Sequence, residues 1–116
     1  KNEREMNLVK DMVTIAAKGG LAVTGLEETI QAANHNRIQT LILEEAYHKK
    51  GYRCGKCNDM ISLEKDCAIC GEEACLVEDV VDLLIGGVLR SGGDVEVLTP
   101  NPALHAAQHI GAMLRY

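Results

Sequence analysis

Aromatic side chains are almost missing from this chain, which has three Tyr, no Phe and no Trp in 116 residues. A core without large rings has to be filled by Leu, Ile, Val, Met and Ala. The same scarcity removes the stacking platforms on which single-stranded nucleic-acid binding rests. Long apolar runs are missing too: none approaches the ~20 residues that cross a bilayer. No signal peptide is visible, and a chain that begins at Lys1 rather than Met reads as a fragment. Positive charge is in deficit, with 12 Lys and Arg against 17 Asp and Glu, so a net charge of −5 offers no general attraction to a phosphate backbone. There are no internal repeats and no low-complexity tracts. The familiar catalytic patterns are missing as well: no G-x-S-x-G elbow, no P-loop, no G-x-G-x-x-G, and the only serines, Ser62 and Ser91, have no companion base in sight.

What the chain does have is a cysteine cluster at its middle, GYRCGKCNDMISLEKDCAICGEEAC, residues 51–75. Cys54 and Cys57 form one C-x2-C, Cys67 and Cys70 another, with nine residues between the pairs. Two residues between cysteines let a tight turn aim both sulfurs at one point. Two such turns offer four thiolates, the donor set of a closed, tetrahedral structural Zn²⁺ site. Gly55 and Gly71 stand where such knuckles often need positive φ. The segment has too few large apolar residues for a core of its own, and structural zinc, worth roughly 10–16 kcal/mol of apparent folding free energy in small peptides, would replace one. Three other readings compete: disulfides, which would need an oxidising compartment that nothing else in the chain suggests; a redox C-x2-C pair; and a metal-free remnant of a ligand set. Cys75 breaks the pair pattern and reads as a spare thiol, and His48, six residues before Cys54, as a solvated side chain rather than a substitute ligand.

The length fits a single domain, residues 1–116, able to bury roughly 60–70% of its unfolded surface. Residues 3–18 carry Leu8, Val9, Met12, Val13 and Ala16 at helical spacing and end at Gly19-Gly20. Leu21 to Val23 is a short extended piece. Thr24-Gly25-Leu26-Glu27 fits a capping box with Thr24 as N-cap. The helix it opens buries Leu26, Ile30 and Ala33 and ends near residues 34–36. Ile38 to Leu43 reads as a buried strand. Residues 46–77 follow as an inserted minidomain, polar at both flanks and standing off the main body. Glu78 to Ser91 is a second strong helix, with Val81, Leu84, Ile85, Val88 and Leu89 facing the core. Gly86-Gly87 inside it costs ~1 kcal/mol per Gly relative to Ala and implies close packing on a sheet. Asp94 to Leu98 alternates as a strand, residues 99–102 form a turn, Ala103 to Gln108 form a short helix, and Ile110 to Tyr116 form a closing strand. The order predicts a three-layer α/β/α sandwich around a mixed sheet of about four strands, with the metal-bearing insertion appended.

The remaining chemistry-bearing residues read as surface. Glu27-Glu28, Glu44-Glu45 and Glu72-Glu73 are neighbours that point apart, on solvated faces. His105 and His109 have i,i+4 spacing but lack a third ligand nearby, so surface or partly buried histidines are the better reading.

Four segments in order, GGLAVTGLEETIQAA (19–33) with the following IQTLIL, GYRCGKC…CAICG, DVVDLLIGGVLRSGGDVEVL (79–98) and IGAMLRY (110–116), resemble the C-terminal domain of archaeal and eukaryotic-type class 1 peptide chain release factors, relatives of Pelota. The resemblance spans nearly the whole chain. It implies a sandwich similar to kink-turn-binding ribosomal proteins. It also implies a zinc-bearing minidomain of the archaeal type with Cys54, Cys57, Cys67 and Cys70 as ligands. Eukaryotic members keep that minidomain without the metal. In such factors this domain is expected to dock a translational GTPase and an ABC-type recycling ATPase, in the cytoplasm and on the ribosome, without catalysing anything. Peptidyl-tRNA hydrolysis belongs to a GGQ loop that this sequence lacks. A second expectation from the fold is RNA binding, through a local patch of Lys49, Lys50, Arg53 and Lys56. The net charge disfavours it.

Overall fold

The computed structural model describes every residue except Lys1, Asn58, Asp59, Ala68, Ile69, Cys70, Glu72 and Asn101. In chain order the elements are α1 (Asn2–Ala17), β1 (Ala22–Thr24), α2 (Leu26–Asn34), β2 (Ile38–Glu44), β3 (Gly51–Cys54), β4 (Met60–Ser62), β5 (Cys75–Val77), α3 (Val80–Arg90), β6 (Asp94–Leu98), α4 (Pro102–Ala106) and β7 (Ile110–Leu114). The main sheet has the order β1-β7-β2-β6. β6 runs parallel to β2 and is reached through the α3 crossover, whereas β7 lies antiparallel to both β1 and β2. This is the mixed four-stranded sheet expected from the sequence.

Helices cover both faces. One face, carrying Leu41, Leu43, Ile110, Ala112 and Leu114, packs on Leu26 and Ile30 of α2 and on Val81, Leu84 and Val88 of α3. The other face, carrying Ala22, Ile42 and Leu98, packs on Val9 and Met12 of α1 and Leu104 of α4. The alternation along β2 and β7 places successive side chains in different layers. A register shift between Ile38 and Thr40 breaks the alternation and returns Ile38 to the α2/α3 side. Apart from Thr29, the largest fully buried side chains are aliphatic or Met, as the ring-poor composition requires.

Close approach on the α1 side depends on Gly111 of β7. A Cβ there would lie 2.5 Å from Met12 Sδ and 2.7 Å from the Val23 carbonyl oxygen. The fold corrects several local expectations. Thr24 pairs with Gly111 in the sheet, so it is Gly25, at φ 88°, that occupies the N-cap of α2, with no side-chain cap. Sheet pairing therefore overrides the capping box. The buried Thr29 hydroxyl satisfies itself one turn back, donating to the Gly25 carbonyl at 2.7 Å. Val13 and Leu89, expected in the core, are exposed, because each stands at the edge of its helix stripe. Gly86 and Gly87 do not pack on the sheet: a Cβ on Gly87 would meet nothing within 4 Å, and one on Gly86 only the Arg90 guanidinium, at 3.1 Å. β7 ends at Leu114 rather than at Tyr116, although Arg115 N–H still donates to the Arg37 carbonyl at 2.7 Å.

These two environments predict opposite outcomes for the same substitution. Gly111→Ala must displace Met12 or backbone and lowers unfolding free energy by about 1–3 kcal/mol in urea denaturation. Gly87→Ala enters open space on a helix and raises it by up to ~1 kcal/mol. Equal destabilisation by the two would contradict the packing described.

Candidate metal centre

The insertion folds as a three-stranded antiparallel sheet of order β4-β3-β5, an element the short, charge-broken runs of the sequence did not announce. β3 ends at Cys54, and the chain turns at once. The Cys57 N–H donates to Cys54 Sγ at 3.2 Å, which closes the turn on the first pair. The second turn starts at Cys67 and is closed by the Gly71 N–H donating to the Cys67 carbonyl at 2.8 Å. Gly71 sits at φ 73°, where a side chain would be strained. Gly55, expected to share that conformation, does not have positive φ. The residue that follows the first pair as Gly71 follows the second is Asn58, outside the described residues.

The Sγ atoms of Cys54, Cys57 and Cys67 all lie within 4.8 Å of one another, and Cys57 and Cys67 approach to 3.2 Å. Tetrahedral Zn–S bonds of ~2.3 Å place sulfurs ~3.8 Å apart, between those bounds. Cys54 and Cys67 are buried, at 2% and 3% exposure, and Cys57 is half-buried. The donor set is therefore soft, convergent and largely screened from water, and it can hold one metal ion. Cys70, the fourth expected ligand, lies outside the described residues. Cys75 is exposed on β5, opposite Arg53, and stands apart from the sulfur group.

The insertion does not stand off the main body, as its polar flanks suggested. The Asn34 amide at the end of α2 donates to the Ile61 carbonyl at 3.0 Å and accepts from the Ile61 N–H at 3.2 Å, and the Ile61 side chain joins the core. At the other end the Val80 N–H donates to the Lys49 carbonyl at 2.8 Å. His48 is engaged by Asp79, Nδ1 to Oδ2 at 2.6 Å, rather than by the sulfurs. Asp79 also caps α3, its Oδ1 accepting from the Val81 N–H at 3.1 Å. Burial alone would raise the Asp79 pKa, but the hydrogen bond from His48, backbone N–H donors and the His48 charge together lower it below the usual value. Of the expected basic patch, Lys50 lies 3.9 Å from Glu78, and Arg53 and Lys56 also have partners.

A second cluster was missed. Glu44 is not solvated: at 18% side-chain exposure its Oε2 meets His109 Nδ1. The His109 ring stacks on Tyr47 at 5.7 Å and meets the His105 ring edge-on at 4.7 Å. Burial raises the Tyr47 pKa. Gln108 and His109 both hold positive φ, 66° and 71°. The i,i+4 histidine spacing was the available signal, and only the pairing of β2 with β7 brings Glu44 to it.

No protein-family model matches the chain, and no curated protein matches it by sequence. Solved structures match it almost end to end. The C-terminal domain of a peptide chain release factor from Methanosarcina mazei superposes with a TM-score of 0.66 at 20% identity, covering 98% of this chain and 82% of that one. Archaeal Pelota, in a model of its ribosome-bound state with ABCE1, gives 0.63 at 22% identity over 98% of this chain. S. cerevisiae Dom34, a translation termination-like factor in RNA quality control that interacts with Hbs1, gives 0.57 at 17% identity over 98%. The chain spans 26% of that Pelota and 27% of Dom34. The chain thus has the fold of release-factor and Pelota C-terminal domains. No described helix is long and apolar enough to cross a membrane.

Asp79 makes a separable prediction. Asp79→Ala removes cap and ion pair together and costs about 0.5–2 kcal/mol, whereas Asp79→Asn keeps a capping oxygen and costs less. Because the folded-state pKa is depressed, the carboxylate's contribution is present above its unfolded value and is lost as pH falls below ~4 through the folded one. Urea titrations should show an acid-side loss in the parent that is diminished in Asp79→Asn; an unchanged acid slope would exclude this role.

Proposed function

We propose that this chain is the non-catalytic docking domain of a release-factor-like translation protein acting in termination or ribosome rescue. It binds an elongation-factor-like GTPase and an ABC-type recycling ATPase in the cytoplasm while other domains work on the ribosome. The observation that carries the reading is the superposition over 98% of the chain on a release-factor C-terminal domain and on Pelota. Dom34 interacts with Hbs1, and archaeal Pelota is placed on the ribosome with ABCE1, which supports partners of these two kinds. The acidic balance of −5 also suits a protein surface better than a nucleic-acid one. Chemistry on peptidyl-tRNA falls to a part of the parent protein that carries the GGQ loop absent here.

Within this reading residues 46–77 are a minidomain held by structural Zn²⁺ on Cys54, Cys57, Cys67 and Cys70. Four thiolates leave no open position for water, so the ion stabilises and does not hydrolyse. It makes up for a sheet whose strands, of 4, 3 and 3 residues, are too short to hold themselves together.

Two measurements test the proposal. Elemental analysis of the reduced protein should find one zinc per chain, lost in Cys54→Ser, and a chelator should unfold the minidomain while α2 and α3 keep most of their amide protection. A metal-free protein whose insertion is equally protected would overturn the zinc assignment. Titration of the chain against purified elongation-factor-like GTPase and recycling ATPase should give saturable binding to at least one; silence with both would overturn the docking assignment.

A further inference from the structure

A groove of about 1180 Å³ runs between the C-terminal end of α2, the outer face of α3 and the cysteine module. Its floor is aliphatic, from Ile61, Leu83 and Leu84, and its walls carry His35, Arg53 and Arg90 among neutral amides. Asp and Glu make up 17 of the chain's residues, yet none is found among the described residues lining this groove. Arg90 is exposed, and it makes no ion pair with a described residue. Gly87 lies in the same wall, in open space. Its presence in the middle of α3 therefore has no explanation in the packing of the fold, while a side chain there would narrow the groove.

We propose that this groove docks a short acidic, leucine-type segment of a partner protein, the aliphatic floor taking its apolar side chains and Arg90 its carboxylates. The surroundings favour a peptide over nucleic acid. Two arginines are too few to drive binding by counterion release against a net charge of −5. No Phe, Tyr or Trp is among the described residues lining the groove, which leaves the small His35 ring as the only platform there for a base. Arginine presents a planar fork that suits a carboxylate, and an apolar floor beside it rewards leucine more than ribose. The proposal deepens the docking reading above by naming one face and the chemistry of what it receives.

The test uses the zinc-loaded, isotope-labelled chain and three probes: a capped hexapeptide of two leucines flanked by glutamates, its lysine counterpart, and hexauridylate. Amide shifts on titration with the acidic peptide should concentrate at Asn34, Ile61, Leu83, Gly87 and Arg90. Arg90→Glu should weaken that binding at least ~10-fold, Arg90→Lys much less, and Gly87→Leu should block it without lowering the thermal midpoint. The spectrum of each variant reports whether it is folded, and Arg90→Glu keeps the test open if Gly87→Leu is not. Absence of groove shifts, equal response to the lysine peptide, or shifts from hexauridylate alone would each overturn the proposal. Equal binding of the GTPase to the parent chain and to Arg90→Glu, with no peptide response, would sink the groove while leaving the docking domain intact. Failure of the GTPase and ATPase to bind the parent chain, with the peptide response present, would do the reverse.

Discussion

The seating of the cysteine module on the sandwich turns on one side-chain amide. Asn34 closes α2 and offers its Oδ1 and Nδ2 to the N–H and carbonyl of Ile61, as the backbone of a neighbouring strand would. β4 is the edge of its sheet, so without Asn34 those two groups would lack a strand partner close to the core. Leaving such groups unmet costs about 1–3 kcal/mol each, a large fraction of a marginal domain's stability. The same contact brings the Ile61 side chain into the cluster under α2 and α3, which couples a polar requirement to an apolar one.

The cysteine module is consequently fixed by two unlike devices. In the proposed zinc reading, an ion on the convergent sulfurs sets its internal geometry, because two turns joined at one point leave little freedom to strands of three or four residues. Its position on the sandwich is set elsewhere: by Asn34 at one side and, at the root, by the Lys49–Val80 backbone bond beside Gly51, where a Cβ would come within 2.8 Å of Val80. The sulfur cluster and the Asn34 contact draw on different residues of the module.

The sequence was most informative where one physical demand acted alone. The spacing of Cys54, Cys57 and Cys67 reports convergent sulfurs, and the periodicity of Val9 and Met12, or of Val81, Leu84 and Val88, reports a buried stripe. It misled where two demands met. Thr24 satisfies the pattern of an N-cap and also the register of β1 against β7; the ladder won, and Gly25 took the cap. Leu89 is as apolar as Leu84 but falls on the open side of α3, and no local rule distinguishes them. Contacts across the chain left almost no trace: Glu44 with His109 and Asn34 with Ile61 join residues 65 and 27 positions apart.

Gly86-Gly87 is the most instructive of these, because its local cost is legible in the sequence and its cause is not. A glycine pair within a helix is unfavourable, and the first place to look for compensation is close packing on a neighbour. Here the neighbour is absent and the space above Gly87 belongs to the groove. A position that violates local preference, gains nothing from packing within the fold, and borders a groove with no acidic residue among its described lining is poorly accounted for by folding alone. Natural sequences depart from local consistency mainly where function requires it. The explanation of Gly87 therefore lies less in the stability of α3 than in what α3 leaves uncovered, the groove proposed above as a docking face.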